Sequence, residues 1–403
     1  MSQIKEYQPF KKVGSLIYPV IPTDILVQAV LNANFNIDKL DRLLEWGSKT
    51  TIIFKGSNGI PLKIDTAYFS TETDVTISTA ADMDTGVISN GKDYYVYACN
   101  SAGTLVFKIS LASTYPAGFT AATSRKIGGF HTLCVAVGTI AGHTLTGYLA
   151  NEILPQSVWD LKHRPRSNPE GMVYSEAISK WVDIYLASGT GTSTASVYNA
   201  TISDIRNWMD FVDDGGAVKK RLLDDTEFQL IAEGSNQQTN ISGSADPVTT
   251  GGRSDTAARR MISNIGCEDC AGAMWQWLID QSNRYDGGSH AHAFTGSALP
   301  THTHTENQEA AYTQNVQTAG TSGGTPVGSN ASVDPAPPWA WYVLPGSKGQ
   351  LYRQGTYGDV KLIAGGSWAY GAYCGSRSRY AGGYCFRWAA PASIGGRFLA
   401  EPL

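Results

Sequence analysis

The sequence predicts a β-rich α+β protein of more than one domain, and three observations carry that prediction. Glycine occurs 43 times, aromatic residues make up 10% and charged residues only 16%, a balance that favours turn-rich strand architecture over helical bundles. Short apolar runs with period-two alternation recur through the first part of the chain, separated by Gly, Asn, Asp and Ser, the pattern of half-buried strands. A chain of 403 residues is also longer than one hydrophobic core ordinarily serves, so two or three domains are expected.

Taken in order, residues 1–50 read as a short helical segment for attachment or trimerisation. Pro19-Val-Ile-Pro22 breaks the chain, Asp24 caps a helical period running to Asn34, and Ile37 to Trp46 continues it with Leu40, Leu43 and Leu44 on one face. Residues 51–150 read as a β-sandwich or β-prism, with strands at Thr51–Lys55, Leu62–Asp65, Asp74–Ser78, Tyr94–Ala98, Thr104–Ile109 and Leu133–Val137. Ser57-Asn-Gly59 and Ser89-Asn-Gly91 supply hairpin turns. From 151 to 403 the chain becomes Trp-rich and mixes helix with strand; Thr226 is the expected N-cap of a helix whose first turn carries Glu227 and Gln229.

Charge and cysteine usage exclude several functions. A formal charge of −4 argues against holding nucleic acid by counterion release. No run of ~18 apolar residues offers a membrane span, and Met1-Ser-Gln-Ile-Lys-Glu6 lacks the regions of a signal peptide, so synthesis in a cytoplasm without membrane insertion is expected. Six cysteines in a chain of this length are not a disulfide scaffold. Cys99 and Cys134 fall in apolar runs and read as buried thiols, while Cys267-Glu-Asp-Cys270 has metal or redox spacing but no second pair. None of the seven histidines sits beside a plausible nucleophile, which points away from an enzyme and leaves no catalytic residue or catalytic cofactor to name.

Two segments carry the functional reading. Between about 281 and 348 the chain holds His290-Ala-His292 and His302-Thr-His304 within a Gly/Thr/Ser-rich stretch. On extended strands each pair shares a face, so in a homotrimer His290, His292, His302 and His304 would converge on the axis as a structural site for iron or another transition metal. The second segment is 365–399, where Gly365, Gly366, Trp368, Gly375, Arg377, Arg379, Trp388, Ile394 and Arg397 read as a fixed skeleton. Ala369, Tyr370, Tyr373, Tyr380, Gly382, Gly383, Cys385, Phe386, Arg387, Ala389, Ala390 and Ala392 lie between them. Aromatic side chains mixed with small ones are the vocabulary of a binding surface.

That segment resembles the C-type-lectin-fold proteins diversified by retroelements, among them the phage tropism determinants, receptor-binding proteins of tail fibres. The likeness extends over roughly 90–403 through Asp93-Tyr-Tyr-Val-Tyr-Ala-Cys99, Ser124-Arg-Lys-Ile-Gly-Gly-Phe-His131, Trp159-Asp-Leu-Lys-His-Arg-Pro165, Gly171-Met172, Trp181-Val-Asp-Ile-Tyr185 and Lys220–Gln229. Lys220–Gly234 and Ala273-Met-Trp-Gln-Trp-Leu278 also look like the helix and the Trp-x-Trp strand of formylglycine-generating enzymes, which share the fold. The resemblance implies a C-type lectin fold for 151–403, an intertwined homotrimer, a place in the virion beside other tail proteins, and a host cell-surface receptor, protein or glycan, as ligand. It further implies that the interleaved positions vary by mutation of Asn codons, and no Asn remains from 365 to 403. The enzyme relatives' reactive Cys position holds Tyr370, and Cys374 falls one residue short of their second Cys. A calcium lectin would need clustered carboxylates, and Glu401 is the only acid after residue 364.

Overall fold

The computed structural model describes residues 42–285 except 60, residues 357–381 and residues 385–403. It also places short strand backbones at 10–13, 16–19, 293–294, 297–298, 314–319, 326–331, 339–343 and 350–354. The expected helix at 24–34, the four histidines 290, 292, 302 and 304, and Gly382 and Gly383 lie outside the described residues.

The described chain divides into two compact units, one of residues 1–132, 151–164 and 403, the other of 133–150 and 165–402. In the first unit, strands β1 (Leu44–Ser48), β2 (Thr51–Phe54) and β3 (Val75–Ser78) make one antiparallel sheet. Strands β4 (Asp93–Ser101), β5 (Thr104–Ser110) and β6 (Ser124–His131) make another, extended by Trp159–Asp160. Both sheets bury side chains in one core that includes Leu44, Ile52, Phe54, Ile77, Tyr94, Val96, Phe107, Ile109 and Phe130. The alternation in β2, where Ile52 and Phe54 are buried and their neighbours are not, is what the sequence pattern required.

Several local expectations are corrected here. The helical period read into Ile37–Trp46 does not reach its end as a helix: Leu44–Ser48 is a strand. Leu43 and Leu44 enter the sheet core instead, and their backbone N–H groups donate to the buried Asp160 carboxylate at 2.5 and 3.0 Å. A boundary at residue 50 would therefore cut the β1–β2 hairpin, and one at 150 would detach 151–164, which pack with the first unit. Leu133–Val137 is not a strand; Leu133 and Cys134 are nevertheless buried, in the second unit. Ser57-Asn-Gly59 closes a 3-10 turn rather than a hairpin, while the tight hairpins turn at Asp65 and at Ala102-Gly103, where φ is positive.

In the second unit, β7 (Met172–Ser175) and β8 (Lys180–Asp183) form a hairpin. Helix α1 (Trp208–Ala217) follows, capped by Asn207, whose side chain accepts from the Asp210 N–H at 3.0 Å. After β9 (Arg221–Leu222) comes α2 (Asp225–Ile231). Its cap is Asp224, not Thr226: Asp224 accepts from the Glu227 N–H at 2.7 Å, and the Glu227 carboxylate accepts from the Asp224 N–H at 2.9 Å. The carboxylate with Glu three residues on makes the reciprocal capping box that Thr226 cannot form from inside the helix. Strand β10 (Trp275–Tyr285) pairs antiparallel with β11 (Tyr357–Ala364), which pairs with β12 (Arg379–Ala381). Finally β13 (Ile394–Gly395) lies parallel to the start of β10, and β14 (Phe398–Ala400) closes the sheet between β8 and β9. Both ends of the 365–399 segment are thus pinned by strand pairing.

Candidate functional site

The segment 365–399 leaves strand β11 through a glycine turn that no other residue fits. Gly365 and Gly366 have φ of +93° and +89°, a region L-side chains rarely enter. A Cβ on Gly365 would meet the Cys270 carbonyl oxygen, and one on Gly366 would come within 2.6 Å of the Cys374 sulfur. Gly375 is not left-handed; it is held by its N–H, which donates to the Gly365 carbonyl at 3.1 Å. We expect Gly366→Ala to lower the unfolding free energy by about 2 kcal/mol or more through left-handed strain plus overpacking, read as a lower midpoint in chemical denaturation.

Arginines then hold the loop from beneath. Arg377, Arg379 and Arg397 are fully buried. Arg379 Nε donates to the Asp225 carboxylate, its Nη1 to the Ser378 carbonyl at 2.8 Å, and its guanidinium lies 5.3 Å from the Phe228 ring centre. Arg397 reaches further: Nη1 donates to the Asp183 and Ile184 carbonyls at 2.7 and 2.6 Å, Nη2 to the Glu268 carbonyl, and Nε to Gln276 Oε1 at 3.0 Å. One planar side chain therefore ties the end of β8, the 263–272 loop and β10 to the end of the segment, a geometry a lysine cannot supply. Trp368 packs between Leu186, Ile202 and Met274 on one side and Ile241, Met261 and Ala273 on the other.

Over this frame the interleaved residues separate by depth. Tyr370 and Tyr380 are half-buried and lean on the Trp275 ring, with centroids 5.4 and 5.8 Å away. Ala369, Tyr373, Arg387 and Ala390 are exposed; Phe386, Ala389 and Ala392 are half-buried. Cys385 differs from its expected place among the contact residues: it is fully buried, and its backbone carbonyl accepts from the Lys361 N–H at 2.7 Å. Trp388 differs in the opposite sense. Read from the sequence as skeleton, it is 60% exposed and stacks face to face on Phe386, centroids 5.0 Å apart and rings within 5° of parallel. Ile394 is buried against the frame.

The surface is poor in charge and its support is not. Asp280 on β10 accepts from the Asp225 N–H at 2.6 Å, linking that strand to the helix start whose Asp225 holds Arg379. Burial, together with the neighbouring charges of Asp224 and Glu227, raises the Asp280 carboxyl to about 6. Because the folded state holds this proton more tightly than the unfolded chain does, stability falls as pH rises from about 4 through 6 and is level in this respect above that window. Asp280→Asn keeps the acceptor and removes the titration, so its thermal midpoint should vary less than that of the natural chain across pH 4 to 6.5.

Among the described residues no group of three or more His, Cys, Asp or Glu side chains is set to hold a metal ion, and no helix is long and apolar enough to cross a membrane. A glycine turn, buried arginines and a Trp-bearing strand beneath an irregular aromatic surface belong to a C-type lectin fold. The chain is major-tropism-determinant-like. Residues 46–160 match the Mtd second domain. Over 247 residues the chain is 32% identical to the tail fiber receptor-binding protein of Bordetella phage BPP-1, a match spanning 55% of this chain and 61% of that protein's length. The solved structures of the Major Tropism Determinant M1 and I1 variants superpose with TM-scores of 0.61 and 0.61 at 24% and 25% identity, each covering 90% of this chain and 83% of theirs.

Proposed function

We propose that this chain is a receptor-binding protein of a phage tail fibre, carried on the virion, whose 369–392 surface contacts a host cell-surface receptor. The observation that carries the reading is the division by depth: buried glycines and arginines fix the loop, and the exposed or half-buried positions between them hold aromatic, small and single-charge side chains. The exposed ones among these positions can change at little cost, about half a kcal/mol or less each. The similarity to a tail fiber receptor-binding protein supports the same reading.

Retroelement diversification is the finer part of the proposal. Its support is the complete lack of Asn from 365 to 403, as a copy mutated at adenines of Asn codons would show. The adjoining DNA tests it: a near-copy of the last ~100 bases with adenines at the codons of Tyr370, Tyr373, Tyr380 and Phe386 is expected, and the lack of any such repeat makes the chain a fixed fibre protein. We further propose a homotrimer, with His290, His292, His302 and His304 gathered near its axis as a structural transition-metal site. Light scattering at micromolar concentration is expected to give three times the chain mass, and elemental analysis to find retained iron or a similar metal. A monomer, or a metal-free protein never exposed to chelator, contradicts these respective parts.

A further inference from the structure

Residues 386–389 of the display segment form a tight turn, closed by the Ala389 N–H, which donates to the Phe386 carbonyl at 2.8 Å. Both sides of that turn are tied to the frame. Before it, the buried Cys385 gives its carbonyl to the Lys361 N–H of β11 at 2.7 Å. After it, the Trp275 N–H of β10 donates to the Ser393 carbonyl at 3.0 Å, and Ile394 pairs with Trp275 in parallel register. A short span between two such anchors has little conformational freedom, so what the turn displays is set in advance of any partner.

What it displays is a pair of rings. Phe386 and Trp388 stand first and third in the turn and stack with centroids 5.0 Å apart and planes within 5° of parallel. They differ in depth, Phe386 being half-buried and Trp388 60% exposed. Since Phe386 covers one face of the indole, solvent meets its other face and its edge. Indole surface left in water contributes little to folding, and a large apolar ring is the side chain that gains most when a partner covers it. Trp368 supplies the contrast, because the frame packs it on both sides. The stacked rings also differ in how they can change. Asn codons end in a pyrimidine, so replacing their adenines reaches Phe and Tyr but never Trp, whose single codon ends in guanine and holds no adenine. Under the diversification proposed above, the indole at 388 stays while the residue beneath it varies.

We infer that Phe386 and Trp388 act as one unit, in which Trp388 is the contact that meets an apolar face of the receptor and Phe386 is a positioning residue that aims the indole. The inference rests on the receptor-binding reading and adds a route to specificity within it. A change at 386 re-aims a fixed ring without itself touching the receptor.

The test titrates the fluorescently labelled full chain onto intact cells of a strain that the phage infects. It compares the natural chain with Phe386→Ala, Phe386→Tyr, Trp388→Ala and the double variant of Phe386→Ala with Trp388→Ala, and records a melting curve for each. Trp388→Ala should weaken binding at least about 30-fold with a melting midpoint within about 2 °C of the natural chain. Phe386→Ala should weaken it roughly 3- to 10-fold through the lost stack, and Phe386→Tyr, which keeps a ring beneath the indole, should bind within about twofold of the natural chain. The double variant decides between aiming and contact: once Trp388 is Ala, Phe386→Ala should cost nothing further. Where Trp388→Ala binds too weakly to titrate, Trp388→Leu supplies the second background. An equal loss from Phe386→Ala on both backgrounds means that Phe386 contacts the receptor itself and overturns the inference, as does natural-level binding or a collapsed melting temperature in Trp388→Ala. A natural chain that binds no cells removes the receptor-binding reading as well, whereas binding that survives Trp388→Ala removes this inference alone.

Discussion

Replacing Arg397 by Ala should destabilise the second unit more than any other single change in the 365–399 segment. The guanidinium is fully buried and satisfies the Asp183, Ile184 and Glu268 carbonyls and Gln276. Its removal takes a donor from each of these buried acceptors, of which the Ile184 carbonyl keeps the Glu268 N–H at 2.7 Å, and truncating one member of a buried polar network costs about 3–5 kcal/mol. A fall in thermal midpoint of roughly 10 °C is expected for a domain of this size. Arg397→Lys should recover little, because one ammonium cannot span acceptors on several elements. Differential scanning calorimetry of the two variants checks both statements, and a midpoint for Arg397→Ala within about 2 °C of the natural chain would show that the frame does not depend on this residue.

The opposite outcome is expected at the surface. Tyr373, Arg387 and Trp388 are exposed, and Phe386 supports the Trp388 ring by stacking. Changing Tyr373, Arg387 and Trp388 to Ala should leave melting nearly unchanged, since exposed substitutions cost about half a kcal/mol or less. Host adsorption should nevertheless collapse. Aromatic and Arg anchors each contribute about 2 kcal/mol or more to such interfaces, and weak sites linked on one particle gain ~10²–10⁴-fold by avidity that is lost with them. Tyr370 and Tyr380 should behave differently from these three. They lean on Trp275, so their truncation should reduce stability as well as adsorption.

The strands of the first unit were legible because their alternation is a direct consequence of one buried face, as Ile52 and Phe54 show. Leu43 and Leu44 were misread because a short apolar run satisfies a helical period as easily as a strand, and the carboxylate that captures their N–H groups lies at Asp160, more than a hundred residues away. The skeleton arginines were recognisable as residue types, but their partners were not. Arg397 binds carbonyl oxygens of Asp183, Ile184 and Glu268, and backbone acceptors leave no mark in a sequence. Cys385 and Trp388 exchanged roles for a related reason: in an irregular loop no period says which side chain points inward. The 60% exposure of Trp388, with its ring stacked on Phe386, is what puts the indole on the surface.

The central claim is that recognition resides in the side chains laid over the frame and not in the frame. It is tested most directly by exchanging Ala369, Tyr373, Phe386, Arg387, Ala389, Ala390 and Ala392 as a set for the matching residues of a similar chain from a phage with a different host, with Tyr370 and Tyr380 kept because they lean on Trp275. Oligomeric state, melting temperature and adsorption to both hosts are then recorded on the same preparation. The account predicts an unchanged assembly and melting temperature, with adsorption moving to the second host. Variants that unfold, or that remain folded and still adsorb only to the original host, would contradict it.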